Sequence, residues 1–547
     1  MKKRISQDIF DESDFPISQV RRGVLSGTGA DIEEYQDKPL IAVANSATDM
    51  NPGHMHLSSI AARVKDGINA GGGIPFEFNV PAPCDGLAEG NEGMRYVLPQ
   101  RELIADTVET HIRSMRFDAV VMIASCDKII PGMLLAAARL DLPTIFLTGG
   151  PSAMAVRHTQ VYKGSVSPND YQELEEKMSC LKSASCGSCE VMGTANTFQC
   201  LTEAMGMSLP DSAVVPAFHA ERARLARRTG FRVVRMLEED LSARKILTEK
   251  SLENAIMVCQ AIGGSTNTAL HLPALAHELG LEIGLQDFNR LGKKVPTLLA
   301  IAPNGPYGVL DLHAAGGVPA VMKRIEDDLH LDAMTCTGHS VGDLLKSARI
   351  GDEAVIPKRE TAHNPEGGIA ALFGNLAPEG CVIKQSAVAA DMRAFTGTAR
   401  VFESEAEALK TMREKAICEG EVLVIRNEGP KGGPGMPETL AVTMNLSMSG
   451  YKKVAMITDG RFSGASAGPC VGHVSPEAAD GGPIAAIQNG DRISIDIPAR
   501  TIELHLSAQE IEARLAAAEP RRREPPPGYM RRYVKWVTSA AKGAYLD

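Results

Sequence analysis

Apolar and polar residues follow two different rhythms along this chain, and the change comes near its two-thirds point. The run 118–124, Asp-Ala-Val-Val-Met-Ile-Ala, is continuous and β-branched, which predicts a strand buried on both faces. Comparable runs at 39–45, 75–80 and 142–148 predict three more strands. Between them, 58–70, 99–112 and 132–139 have helical spacing, with apolar residues at 104, 108, 112 and 115 in one stripe. A further helix is expected at 18–25 in an otherwise irregular lead-in. Strand and helix in alternation predict an α/β region with a parallel sheet, and from 170 to 280 helices dominate. The breaker-rich stretch 362–368, Ala-His-Asn-Pro-Glu-Gly-Gly, reads as a linker. Beyond it, 420–425, 453–458, 493–497 and 502–506 are short strands between turns, which suggests a smaller, β-barrel-like domain. A proline-rich spacer at 519–528 leads to a helical tail from Tyr529 that carries the only tryptophan, Trp536. Two domains are expected, 1–360 and 370–547.

Composition narrows the function. At 547 residues the chain is too long for one core. Net charge is −10 and aromatic content 4%, so there is neither a basic footprint nor a stacking platform for nucleic acid. No apolar run is long enough to span a membrane, and the first residues lack the apolar core of a signal peptide. With 11 cysteines, an odd number, reduced thiols in a cytoplasmic protein are expected rather than disulfides.

The chemistry gathers at Ser125-Cys126-Asp127-Lys128, at the carboxyl end of the 118–124 strand. In open α/β sheets ligands bind at that end. A thiol beside a carboxylate suits two metals, a soft site for iron–sulfur and a hard one for magnesium. Asp85 follows another strand in an acidic, glycine-rich loop, and Glu438 lies in Gly-Met-Pro-Glu. Three such carboxylates together would suit Mg2+. Cys186-Gly-Ser-Cys189 is a second thiol site, and its spacing serves zinc, iron–sulfur or redox chemistry equally well. Lys128 is either an ammonium paired with Asp85 or, as a carbamate, an oxygen ligand. Ser463 stands among glycines after a strand, a setting for an exposed hydroxyl or for a plain turn.

These stretches, in order, resemble the IlvD/Edd family of dehydratases. The resemblance rests on 52–57 (Pro-Gly-His-Met-His-Leu), Asp85-Gly, 101–106 (Arg-Glu-Leu-Ile-Ala-Asp), Cys126-Asp-Lys, 194–197 (Thr-Ala-Asn-Thr), 263–267 (Gly-Gly-Ser-Thr-Asn), Gly435-Met-Pro-Glu438, 459–464 (Asp-Gly-Arg-Phe-Ser-Gly) and 472–478. It implies a large N-terminal α/β domain, a C-terminal barrel-like domain and a homodimer or higher homo-oligomer. It also implies Mg2+ on Asp85, Asp127, carbamylated Lys128 and Glu438, a cluster on Cys126 and Cys189, and Ser463 as the base. The implied reaction takes the Cα proton of a 2,3-dihydroxy acid and expels the C3 hydroxyl, giving a 2-oxo acid. The branch serving branched-chain amino-acid biosynthesis is favoured. A sugar-acid (aldonate) dehydratase is the alternative, and a non-catalytic iron–sulfur or zinc protein a third possibility. Family members with a 2Fe-2S cluster often carry cysteine where this chain has Gly53. A 4Fe-4S cluster with one open iron is therefore expected, with 2Fe-2S as the alternative. Cys186 is expected as third ligand over Cys84, because side chains alternate in an extended segment and Cys84 would turn away from Asp85.

Overall fold

A computed structural model of the chain describes residues 4–153, 185–414, 416–448, 450–462, 468–517 and 523–547. The four expected strands form: β1 (Leu40–Asn45), β2 (Ile74–Asn79), β3 (Ala119–Ala124) and β4 (Thr144–Thr148). They make one parallel sheet in the order β2-β1-β3-β4. Every residue of β1, β3 and β4 is buried, which is why their sequences run apolar without alternation. Edge strand β2 is only half-covered and tolerates Glu77 between Phe76 and Phe78.

Helices Leu57–Gly71, Gln100–Met115 and Ile129–Leu140 connect the strands. Helix Gln100–Met115 buries Ile104, Val108 and Ile112, as its stripe requires. Met115, the fourth member, is 49% exposed, because the helix ends there and Arg116 turns left-handed at φ 57. Helix Leu57–Gly71 lies against Ala220–Glu238 with backbones touching. A Cβ on Gly230 would sit 2.0 Å from the Val64 carbonyl oxygen, and one on Gly67 equally close to that of Arg227. Deeper still, helix Glu249–Ile262 is buried on every side from Ser251 to Ile262, and its buried polar residues Glu253, Asn254 and Gln260 are hydrogen-bonded to Arg290, the His330 carbonyl and the Phe288 carbonyl.

The second domain holds β5 (Ala370–Leu372), β6 (Gly380–Ile383), β7 (Ala394–Phe402), β8 (Glu421–Ile425), β9 (Ala455–Thr458), β10 (Cys470–Ser475), β11 (Arg492–Asp496) and β12 (Thr501–Leu504). Their order is β12-β11-β7-β8-β9-β10-β6-β5. Phe373 and Arg500–Ile502 exchange backbone hydrogen bonds of 3.0 Å, so the two ends nearly close a barrel. Its centre, β7 to β10, is parallel, with helices Glu405–Arg413 and Leu440–Met448 as crossovers, rather than a row of hairpins. Strands β8 and β9 are buried apolar runs, the composition that parallel strands need. Strands β11 and β12 pair antiparallel across the short turn 497–500, in keeping with the short strands between turns read from the sequence.

The breaker-rich stretch 362–368 is no free spacer. Gly367 and Gly368 are buried, and Gly368 donates to the Gln260 carbonyl at 3.0 Å. The C-terminal helix Tyr529–Trp536 packs back on the first domain, its Met530 and Tyr533 clustering with Leu98, Leu270 and Met436. Arg101 ties the end of the tail down through the Ala544 carbonyl at 2.8 Å. Part of the expected 519–528 spacer lies outside the described residues.

Candidate metal centre and active site

The carboxyl ends of strands from both domains meet at one buried point. Asp85 opens a four-residue helix, Asp85–Ala88, in the segment after β2. Asp127 and Lys128 lie between β3 and helix Ile129–Leu140, with Lys128 at the helix N-cap. Glu438 comes from the barrel, in the loop after β8. It is held by a bridge to the segment after β9, where Thr439 donates to the Arg461 carbonyl at 2.9 Å. The same loop meets the first domain at Gly435, φ +85, where a Cβ would stand 1.8 Å from the Arg95 carbonyl oxygen. Nothing larger than glycine fits that approach.

Carboxylate oxygens of Asp85, Asp127 and Glu438 lie within 4.8 Å of one another. Lys128 is fully buried among them, its Nζ 2.7 Å from Asp85, 3.0 Å from Asp127 and 3.9 Å from Glu438. Arg461, also fully buried, donates to Glu438 at 2.6 Å, and Asn267 donates to the same oxygen at 3.0 Å. Burial and the Arg461 guanidinium work against a charge on Lys128. Asp127, Asp85 and Glu438 outweigh them and hold its pKa above the usual lysine value. Glu438 is pushed up by burial but held below its ordinary range by Arg461 and Lys128. Asp127 goes the other way: burial, then Asp85, raises it to about 8. Glu89 also faces Glu438, and burial followed by the Glu438 and Asp85 charges lifts it to about 10, so it carries a proton at neutral pH. His473 beside Arg461 is neutral, lowered to about 3 by burial and then by the guanidinium.

This set fits a hard cation. Oδ1 of Asp85 and Oδ1 of Asp127 are buried without a hydrogen-bond partner, and oxygen donors in threes suit Mg2+. Arg461, Asn267, Glu89 and His473 were not singled out from sequence. Each stands inside a motif that was noticed for other reasons: Asp-Gly-Arg-Phe, Gly-Gly-Ser-Thr-Asn, the acidic loop after Asp85, and 472–478.

The thiols form a second group next to the carboxylates. Cys126 is half-buried, and its Sγ contacts the Asn51 side chain at 3.6 and 3.7 Å. Its backbone N–H donates to His54 Nε2 at 3.1 Å. His54 Nδ1 lies 2.8 Å from the Ser46 carbonyl, which fixes Nδ1 as the protonated nitrogen. Burial lowers this histidine to about 4, so it stays a neutral acceptor. Cys186 and Cys189 lie in a loop and not on a helical turn. Ser188 is bridged to Pro151, and Gly187 donates to the Pro52 carbonyl at 2.9 Å. Cys189 is exposed and Cys186 half-buried. Cys84 and Cys189 stand close enough that their charges would push the Cys126 thiol, already raised by burial, higher still. Burial raises the Cys186 thiol. Ser463 lies outside the described residues, which stop at Phe462 and resume at Gly468.

Comparison with known families matches residues 38–344 to "Dihydroxy-acid/6-phosphogluconate dehydratase N-terminal" and residues 354–544 to the corresponding C-terminal description. The chain belongs to the dihydroxy-acid/6-phosphogluconate dehydratase family. Relatives confirm the match along almost the whole length. The dihydroxy-acid dehydratase of Methanococcoides burtonii is 49% identical over 544 residues, covering 96% of this chain and 97% of that protein. Those of Methanosarcina barkeri and Ignicoccus hospitalis are 46% and 48% identical, covering 96% and 94% of this chain and 97% and 96% of theirs. As a member of the dehydratase family the chain is a hydro-lyase, an enzyme that removes water from a hydroxylated acid. Among its described residues no helix is long and apolar enough to cross a membrane.

Proposed function

We propose that the chain dehydrates a branched 2,3-dihydroxy carboxylic acid to the 2-oxo acid, as a cytoplasmic homodimer or larger homo-oligomer. Mg2+ would be held by Asp85, Asp127, Glu438 and a carbamylated Lys128. An iron–sulfur cluster, 4Fe-4S in type, would be held with Cys126 and Cys189 among its ligands. The observation that carries this reading is the joining of hard and soft donors. In Cys126-Asp127 the carboxylate gathers with Asp85 and Glu438, while the neighbouring thiol is near enough to Cys84 and Cys189 to interact with them electrostatically. When bound, the two metal groups supply Lewis-acid polarisation of the substrate's carboxylate and of its departing hydroxyl.

The chain's own residues do the rest. Ser463 is assigned the Cα proton, and the C3 hydroxyl leaves with a proton as water. The resulting enol takes up a proton at C3 and gives up the proton of its C2 hydroxyl, which yields the 2-oxo acid. A serine hydroxyl serves as a base only where nearby positive charge favours the alkoxide. Arg461, two residues earlier, is fully buried and held in its charged form by Glu438, Asp85 and Asp127 against the cost of burial. Protonated Glu89 keeps a further negative charge out of the carboxylate group.

The test is an anaerobic assay of 2-oxo acid formation across 2,3-dihydroxy-3-methylbutanoate and an aldonate such as D-gluconate, with wild type and Ser463→Ala. Turnover of the branched acid in preference to the aldonate, lost in Ser463→Ala, is expected. Preference for the aldonate overturns the substrate class, and an active Ser463→Ala overturns the base.

A further inference from the structure

Four parallel strands end on one side of the first sheet, and each is followed by a segment that reaches the thiol group. After β1 comes the Asn51–Gly53 loop, after β2 Cys84, and after β3 Cys126. After β4 comes the stretch Gly150–Ser152, on which the Cys186–Cys189 loop is laid by Ser188 N–H to Gly150 O at 3.0 Å and Ser152 N–H to Ser188 O at 2.7 Å. The first segment carries no thiol. A Cβ on Gly53 would stand 2.9 Å from Cys126 Sγ, so a side chain there would project straight into the thiol group, and glycine leaves that space open.

The second segment carries one. The Asn51 amide donates to the Pro83 carbonyl at 3.2 Å and also contacts Cys126 Sγ at 3.6 Å, so the chain entering Cys84 runs alongside Cys126. Cys84 has extended backbone (φ −117, ψ 114), but Asp85 begins a helical turn. Strict alternation therefore does not govern this pair. Asp85 reaches Lys128 and the carboxylates, while Cys84 is near enough to Cys126 for the two thiols to interact electrostatically. Cys84-Asp85 thus repeats what Cys126-Asp127 does, one soft and one hard donor from adjacent residues.

We propose that Cys84, in place of Cys186, is the third thiolate of the iron–sulfur site, with Cys126 and Cys189. This rests on the cluster reading above. Three thiolates on a four-iron cluster leave one iron open, and Gly53 leaves room beside Cys126 for the larger group.

The experiment is iron and acid-labile sulfide per chain, with the low-temperature electron paramagnetic resonance spectrum of the reduced protein. The samples are anaerobically purified wild type, Cys84→Ser, Cys186→Ser and the double variant Gly53→Cys/Cys84→Ser. Wild type and Cys186→Ser are expected to hold about four irons per chain, and Cys84→Ser to lose most of them. The double variant returns a thiol beside Cys126 and is expected to regain iron with an altered spectrum, which a merely misfolded Cys84→Ser could not do. Cys84→Ser with wild-type iron and spectrum overturns the assignment. So does a Cys186→Ser chain that alone loses the cluster. A wild-type chain holding neither iron nor sulfide overturns the underlying cluster reading itself.

Discussion

Lys128 sits where a metal ligand is wanted but carries the wrong charge. Its Nζ is fully buried and 2.7 to 3.9 Å from three carboxylates. A carbamate forms only on the neutral amine. An ordinary lysine, with a pKa of about 10.4, is neutral in only about one molecule in a thousand at pH 7.4, a penalty of about 4 kcal/mol. Asp85 and Glu438, joined by Asp127 once it ionises, make the amine rarer still here. The metal-free enzyme is therefore expected to carry no carbamate. Mg2+ takes over the carboxylates that hold the ammonium, and a carbamate would turn a competing cation into an anionic ligand. Binding of the two must then be linked and reciprocal. Bicarbonate is expected to tighten Mg2+ by roughly 5- to 150-fold, the usual span of such couplings. The assay is calorimetric titration with Mg2+ in buffer stripped of carbon dioxide and in buffer with added bicarbonate. A carbon-13 carbamate signal is expected only when both are present. Lys128→Met should bind Mg2+ weakly and ignore bicarbonate. Equal Mg2+ affinity with and without bicarbonate, or Lys128→Met binding as tightly as wild type in bicarbonate, would refute the reasoning and leave Lys128 a plain ion-pair partner.

Asp127 gives a pH dependence of definite sign. Its folded pKa of about 8 exceeds the unfolded value of about 3.9, so between those limits the folded, metal-free protein holds a proton that the unfolded chain has lost. Stability in EDTA is expected to be full at the low end and to fall as pH rises toward 8, while Mg2+ affinity rises; thermal melts and titrations across that range check both, and flat profiles would contradict them. Glu89→Gln, which keeps the shape of a protonated carboxyl, should leave Mg2+ affinity near neutral pH unchanged, and a large loss would show that Glu89 works as an anion. Gly230→Ala should lower the melting temperature. The gain of about 1 kcal/mol in helix propensity is outweighed by about 1–3 kcal/mol of overpacking where the Cβ meets the Val64 carbonyl; an unchanged or higher melting temperature would show that the helices can part freely.

The first sheet was legible because β1, β3 and β4 are buried on both faces and so spell unbroken apolar runs. The barrel was legible only in part. Strand β7 carries Thr396, Arg400 and an outward Ala394, and β10 begins in a glycine- and proline-rich stretch, so neither has a period that marks a strand. Asp85, Asp127 and Glu438 could each be nominated from position after a strand or from motif, but convergence across two domains has no local signature. Glu438 reaches the others through a turn at Gly435 and a bridge to Arg461. Cys84 shows the limit most sharply. Asp85 begins a helical turn directly after the extended Cys84, so the alternation read from the sequence does not carry across that pair.

The most direct test of the metal centre pairs turnover with visible absorbance in anaerobically purified Asp85→Asn and Glu438→Gln. Both are expected to lose most 2-oxo acid formation, to recover part of it at high Mg2+, and to keep the absorbance of the iron–sulfur group. Absorbance that disappears together with activity, or activity that survives both substitutions, would contradict a magnesium site built from these carboxylates.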